Sequence, residues 1–217
     1  FLLFGNAQHS MAQYGKTSYW DERYTKDPEP FDWYQRYSGV KDLIAQYVKK
    51  SDNILMSGAG NSRLSEDMYD DGYTTIANID ISRVCIDQMI EKYRDKPTLT
   101  WQQMNCTALE FPDESFDVVL DKGTLDSVLC GEGSTSNAGK TLSEITRVLK
   151  PFSIQDDFSN QLIVGSCHGH ISKELFEIVR KLRPTTVLLG RRVHCDKNCR
   201  VRVDLAVPPE EFALRFP

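Results

Sequence analysis

The sequence predicts an α/β chain built on a doubly wound, mostly parallel sheet, and three observations carry that prediction. Short apolar runs alternate with helix-period stretches from Asn53 to Leu149. A glycine-rich turn, Gly58-Ala59-Gly60-Asn61-Ser62, stands between the first run and the helix after it. An acid, Asp80, closes the second run about 20 residues later, the spacing of a nucleotide-binding βαβ unit. Alternating strands and helices call for a parallel sheet with right-handed crossovers, because a parallel return needs a helix-length connection.

Taken in order, Tyr37, Val40, Leu43, Ile44, Tyr47 and Val48 share one helical face while Lys41, Asp42, Lys49 and Lys50 lie elsewhere, so a helix precedes the first strand. Ser51-Asp52 breaks it, and Asn53 to Ser57 is a short apolar run ending at Gly58, as a buried parallel strand does. Ser62 to Tyr69 reads as a helix through Leu64 and Met68, closed by Asp71-Gly72. Thr75 to Ile79 is the second strand. The helix from Ser82 to Tyr93 starts on Ser82 as N-cap and turns Cys85, Ile86, Met89, Ile90 and Tyr93 inward. Leu99 to Gln103 and Phe116 to Leu120 read as strands three and four. Gly131 to Gly139 reads as a flexible loop, and Thr141 to Leu149 as a helix with Leu142, Ile145, Val148 and Leu149 inward, ended by Pro151. Beyond it, Gln161 to Ser166 is a fifth strand, Ser172 to Leu182 a helix, and Thr186 to Leu189 and Cys199 to Val207 the last two strands. The final one alternates as a half-exposed antiparallel strand does.

At 217 residues, with 40% apolar and 26% charged residues, the chain has the composition of one ordinary globular domain. That domain is expected over 11–217: an N-terminal helical cap (11–50), the half with the glycine turn (51–150) and a C-terminal half (151–217). Residues 1–10 read as an extension outside the fold. No run reaches the ~20 apolar residues of a membrane helix. The six cysteines, with no secretory signal, fit reduced thiols in a cytoplasmic protein. A net charge of -5 argues against nonspecific DNA or RNA binding and leaves room for a basic protein partner; the sequence leaves the oligomeric state open.

Glycines at Gly58 and Gly60 let the backbone take unusual angles and let a ligand approach the main chain, where free N–H groups favour an anion. Asn61 continues the turn as a further cofactor-binding candidate, but the third glycine of the dinucleotide fingerprint is replaced by Arg63. An acid at Asp80 suits the two hydroxyls of a ribose. Together these residues mean an adenosine-containing ligand, which leaves NAD and S-adenosylmethionine open. Asn105, just past strand three, stands where a polar side chain meets an adenine edge, and Phe111 to Val119 leads into strand four. Asp121-Lys122-Gly123-Thr124-Leu125-Asp126 lies where a doubly wound enzyme keeps its reacting groups. Asp121 and Asp126 are candidates either to position an amine and accept its proton or simply to cap a helix.

Five segments carry a resemblance: Tyr19-Trp20-Asp21-Glu22-Arg23-Tyr24, Phe31-Asp32-Trp33-Tyr34, Gly58-Ala59-Gly60-Asn61-Ser62, Asp121 to Asp126, and Glu144 to Leu149. Over Tyr19 to Pro151 the chain resembles the class I S-adenosylmethionine-dependent methyltransferases. It is most similar to the eukaryotic group that holds the elongation factor 1A lysine methyltransferases and the endothelin-converting-enzyme-2-associated methyltransferase. The resemblance implies a Rossmann-like fold with S-adenosyl-L-methionine as cofactor and a protein lysine, that of elongation factor 1A, as acceptor. By it, Trp20, Tyr24 and Trp33 contact the cofactor from the cap and Gly58 lines its methionine end. Asp80 and Ile81 hold the ribose and flank the adenine, Asn105 and Cys106 border the base, and Lys122 lies beside the cofactor. Aromatic rings suit this task, since they cover an apolar adenosine face and attract a sulfonium cation.

The resemblance stops after Pro151. There the family continues with a Gly-Gly pair into strand five, whereas this chain has Phe152-Ser153-Ile154-Gln155. The C-terminal half usually helps build the acceptor site, so a small-molecule methyltransferase and a cofactor-binding protein without turnover stand beside the lysine methyltransferase reading. A dehydrogenase fits worst, given the aromatic cap and Arg63. Cys167-His168-Gly169-His170 and His194 to Cys199 match no standard zinc spacing, so no metal is expected. Arg191, Arg192, Lys197, Arg200 and Arg202 lack interleaved aromatics and read as a solvated basic face.

Overall fold

The computed structural model describes residues 12–150, 161–166 and 186–190. Strands β1 (Ile54–Ser57), β2 (Ile76–Asp80), β3 (Leu99–Gln103), β4 (Val118–Lys122), β5 (Gln161–Ser166) and β6 (Thr186–Gly190) form one sheet in the order β3-β2-β1-β4-β5-β6. All five pairings are parallel, which is the doubly wound arrangement. The order reverses between β1 and β4, and the crevice at such a reversal is where open α/β sheets bind ligands. Around the sheet stand α1 (Thr17–Lys26), α2 (Tyr37–Tyr47), α3 (Leu64–Asp70), α4 (Arg83–Lys92), α5 (Thr124–Cys130) and α6 (Ser134–Val148), preceded by a 3-10 turn (Ala12–Gly15).

Side chains alternate across a strand, so a central strand must be apolar on both faces. In β1 all four residues are buried: Ile54 and Met56 join the core that holds Met68, Ile86 and Trp101, while Leu55 joins the opposite core with Val119, Leu142 and Ile145. The cap belongs to the first core through Trp20, Tyr24, Tyr37 and Ile44.

Four readings are corrected in detail. The stretch expected as a loop from Gly131 to Gly139 is helical from Ser134, because Ala138, Thr141 and Leu142 bury one face of α6; only 131–133 remain outside the helices. Strand four begins at Val118, two residues late, since Phe116 leaves the sheet to bridge Leu149 at the end of α6. Asp121 and Lys122 are therefore the last residues of β4, not residues beyond it. Ile90, expected inside, is 48% exposed on the flank of α4, whose buried residues are Cys85, Ile86 and Met89. The expected helix at Ser172–Leu182, the strand at Cys199–Val207, residues 1–10, both zinc-capable clusters and the basic cluster lie outside the described residues.

Candidate functional site

The glycine turn rises from the end of β1 and is tied to β2, because the Ala59 N–H donates to Ile79 O at 2.8 Å. Gly58 and Gly60 both hold φ near +60°, at +61° and +56°, a region costly to any residue with a Cβ. Space excludes a side chain as well. A Cβ on Gly58 would lie 1.9 Å from Thr124 Oγ1, and one on Gly60 would lie 2.7 Å from the Tyr24 hydroxyl. The turn is thus closed over by α5 on one side and the cap on the other.

Asp80 is buried at the end of β2 and accepts from the Gly60 N–H (Oδ2, 2.9 Å) and the Ser82 N–H (Oδ1, 2.9 Å). Burial pushes its carboxyl up to about 6 despite those two donors. A carboxylate offers about four lone-pair sites, so these bonds leave it able to accept from a ligand hydroxyl. Ser82 caps α4 by accepting from the Cys85 N–H at 3.2 Å, and its hydroxyl donates to Asp21 of α1, which fastens the cap beside Asp80.

One cavity opens over the carboxyl ends of the strands at the β1/β4 reversal. Its lining contains Trp20, Tyr24, Trp33, Gly58, Gly60, Asn61, Asp80, Ile81, Asn105, Cys106 and Lys122. The cofactor candidates read from the sequence are therefore brought together on one surface. Asp80 ends β2 and Ile81 follows it, while Asn105 and Cys106 follow the neighbouring β3; burial raises the Cys106 thiol to about 11, so it is a neutral wall group. The cap supplies a ring cluster, Trp20 stacked on Tyr24 at 5.9 Å and Trp33 edge-on to Phe31 at 5.1 Å. Lys122 is largely buried, pairs with Asp32 at 3.2 Å and donates to Trp33 O at 2.9 Å; burial lowers its pKa, partly offset by Asp32.

The two candidate acids do not line the cavity. Asp121 Oδ1 accepts from the N–H groups of Thr124 and Leu125, both at 3.1 Å, which is a cap on α5. Its Oδ2 is buried without a hydrogen-bond partner among the described residues, as is Oγ of Ser57, its neighbour in the β1–β4 register; burial pushes the acid up to about 7. Asp126 accepts from the Tyr34 hydroxyl at 2.7 Å.

Several contributors were not singled out from the sequence. Thr124 donates to Ser57 O at 2.9 Å and fills the space that Gly58 leaves. Arg23 reaches the cavity with its guanidinium 4.9 Å from the Phe31 ring. Arg147 donates to Leu109 O and Phe111 O, each at 2.8 Å, and pairs with Asp113 and Glu144, holding the segment that follows Asn105 and Cys106. Arg23 and Arg147 sit inside segments that carry the resemblance, which is the available signal; no motif spells out which ring, carbonyls and carboxylates they meet.

The residues fit a ligand with a ribose, a base and a cationic sulfur: an acid with spare acceptor capacity, a turn that admits close approach, and a wall of rings. Comparison with known proteins agrees. Residues 55–154 match the family described as a methyltransferase domain. The chain is 46% identical over 187 residues to the eEF1A lysine and N-terminal methyltransferase homolog of Drosophila pseudoobscura pseudoobscura, covering 84% of this chain and 26% of that protein. It is 41% identical over 171 residues to the eEF1A lysine and N-terminal methyltransferase of Mus musculus, covering 76% and 24%. With the EEF1A lysine methyltransferase 4 of Bos taurus it shares 39% over 148 residues, covering 64% of this chain and 58% of that protein. The chain thus spans about a quarter of the first two relatives and somewhat over half of the third.

Proposed function

We propose that this chain, whose residues 55–154 match a methyltransferase domain, transfers a methyl group from S-adenosylmethionine to the side-chain amine of a protein lysine, and that elongation factor 1A is its acceptor. The observation that carries the reading is the buried Asp80 carboxylate, clamped to the Gly60 N–H at the sheet's reversal and facing a cavity walled by Trp20, Tyr24 and Trp33. The relatives' names supply the acceptor class.

In this reading the bound cofactor supplies an electrophilic methyl on a sulfonium. The chain binds and orients. Asp80 would accept hydrogen bonds from the ribose hydroxyls, Asn105 and Ile81 would border the base, and the aromatic wall would exclude water and favour a cationic sulfur. Methyl transfer needs a neutral amine in line with the sulfur–methyl bond, and such alignment supplies much of the rate. Since neither acid lines the cavity, Asp121 serves by capping α5. Asp126 serves through Tyr34, whose ring edge lies 3.3 Å from where a Cβ on Gly123 would stand.

The test is incubation of the full chain with radiolabelled S-adenosylmethionine and purified elongation factor 1A, followed by mass spectrometry of the labelled peptide. Label on a lysine, lost with Asp80→Ala, is expected. Binding of S-adenosylhomocysteine without transfer to that protein, or label confined to small molecules, overturns the acceptor assignment.

A further inference from the structure

The segment from Pro28 to Tyr34 brings Phe31 and Trp33 to the cavity, yet it has no helix or strand of its own. Tyr34 even holds φ at +64°, an unfavourable value for a side chain of its size. A segment without internal structure takes its shape from its ties, and here the first ties come from the glycine turn itself. The Asn61 amide nitrogen donates to Glu29 O at 2.7 Å and to Pro28 O at 3.4 Å, while its oxygen accepts from the Phe31 N–H at 3.3 Å. The next residue, Ser62, donates to Asp32, which also pairs with Lys122. Lys122 holds Trp33 O, and Asp126 holds the Tyr34 hydroxyl.

We propose that Asn61 is a positioning residue: its side-chain amide holds the strap that sets Phe31 and Trp33 against the cavity, and it does not act by touching the cofactor. The chemistry is specific to an amide. Asn61 is 3% exposed and both its N–H donors are spent on the strap. A carboxylate in its place offers only acceptors to two carbonyls, and an alanine offers nothing. Because Asn61 follows Gly60 directly, the strap and the ligand-facing turn share one backbone, so the arrangement of one is felt by the other.

The proposal rests on reading the cavity as the cofactor site, and two measurements separate the failure of each. Hydrogen–deuterium exchange on the ligand-free full chain, compared with Asn61→Asp and Asn61→Ala, reads the strap without any cofactor. Peptides covering 28–36 are expected to exchange at least tenfold faster, with peptides covering β1 and β4 unchanged and Asp more disruptive than Ala. Titration with S-adenosylhomocysteine is expected to show at least tenfold weaker binding in both variants. Weakened binding with an unchanged strap overturns the proposal, because Asn61 then acts directly. A loosened strap with unchanged affinity overturns it too, as does loss of protection throughout the sheet in both variants. If the parent chain fails to bind S-adenosylhomocysteine, the cofactor reading falls, and the exchange measurement still decides whether Asn61 holds the strap.

Discussion

Gly58→Ala tests how tightly the turn is built. The new methyl would lie 1.9 Å from Thr124 Oγ1, 2.6 Å from its Cγ2 and 2.7 Å from its Cβ, so Thr124 must move. Three costs follow. Placing a Cβ at φ +61° costs about 1 to 2 kcal/mol. Displacing Thr124 breaks its bond to Ser57 O, worth about 0.5 to 1.5 kcal/mol. Crowding a packed site adds about 1 to 3 kcal/mol. We expect a loss of about 3 kcal/mol or more, a large share of the ~5 to 15 kcal/mol that holds a domain together. Urea unfolding followed by tryptophan fluorescence measures it. Thr124→Ala removes the two nearer atoms that the methyl would meet but keeps the Cβ at 2.7 Å. The double variant should therefore recover at least ~1 kcal/mol relative to additivity. A Gly58→Ala protein within ~0.5 kcal/mol of the parent, or strict additivity with Thr124→Ala, refutes the reasoning.

Three further outcomes are expected. Gly139 lies inside α6 and a Cβ there meets nothing within 4 Å, so Gly139→Ala should raise stability by about 0.5 to 1 kcal/mol in the same unfolding assay. Asp80 titrates near 6, so affinity for S-adenosylhomocysteine should fall as pH drops through about 6, where the carboxylate becomes a neutral acid and a poorer acceptor; calorimetry across that range reads it. Asp121 holds its proton up to about 7 when folded and, like any aspartate, to about 3.9 when unfolded, so its burial carries no ionisation penalty at low pH and a progressively larger one as pH rises between those values. Asp121→Asn keeps the oxygen that caps α5, and its stability relative to the parent should therefore grow from pH 4 to pH 7 by up to about 4 kcal/mol, with no gain at pH 4.

What could be read from the sequence followed periodicity and turn chemistry. β1, β2 and β3 lie within a residue of their expected ends: β1 and β2 are buried runs between polar breaks, and β3 alternates buried Leu99 and Trp101 with exposed Thr100 and Gln102. The glycine turn and Asp80 were legible because positive φ and a strand-end acid have few other uses. The start of α6 was hidden, since Ser134, Thr135, Ser136 and Gly139 are weak helix formers and only the burial of Ala138 and Leu142 makes them helical. The displacement of β4 comes from a tertiary contact, Phe116 against Leu149, that local pattern cannot report. The partners of the Asn61 amide are likewise hidden from local pattern, because they are main-chain groups some 30 residues away.

The ion pair between Asp32 and Lys122 joins positions 90 residues apart, and the bond from Tyr34 to Asp126 spans 92. At about 5 to 20 residues per second, a ribosome releases the strap some 5 to 20 s before β4 follows it. During that interval Trp33 and Tyr34 have no Lys122 or Gly123 to rest on. The cavity is thus a late product of synthesis: a nascent chain that stalls before β4 already carries the glycine turn and Asp80, but it lacks the far anchor that closes the wall opposite them.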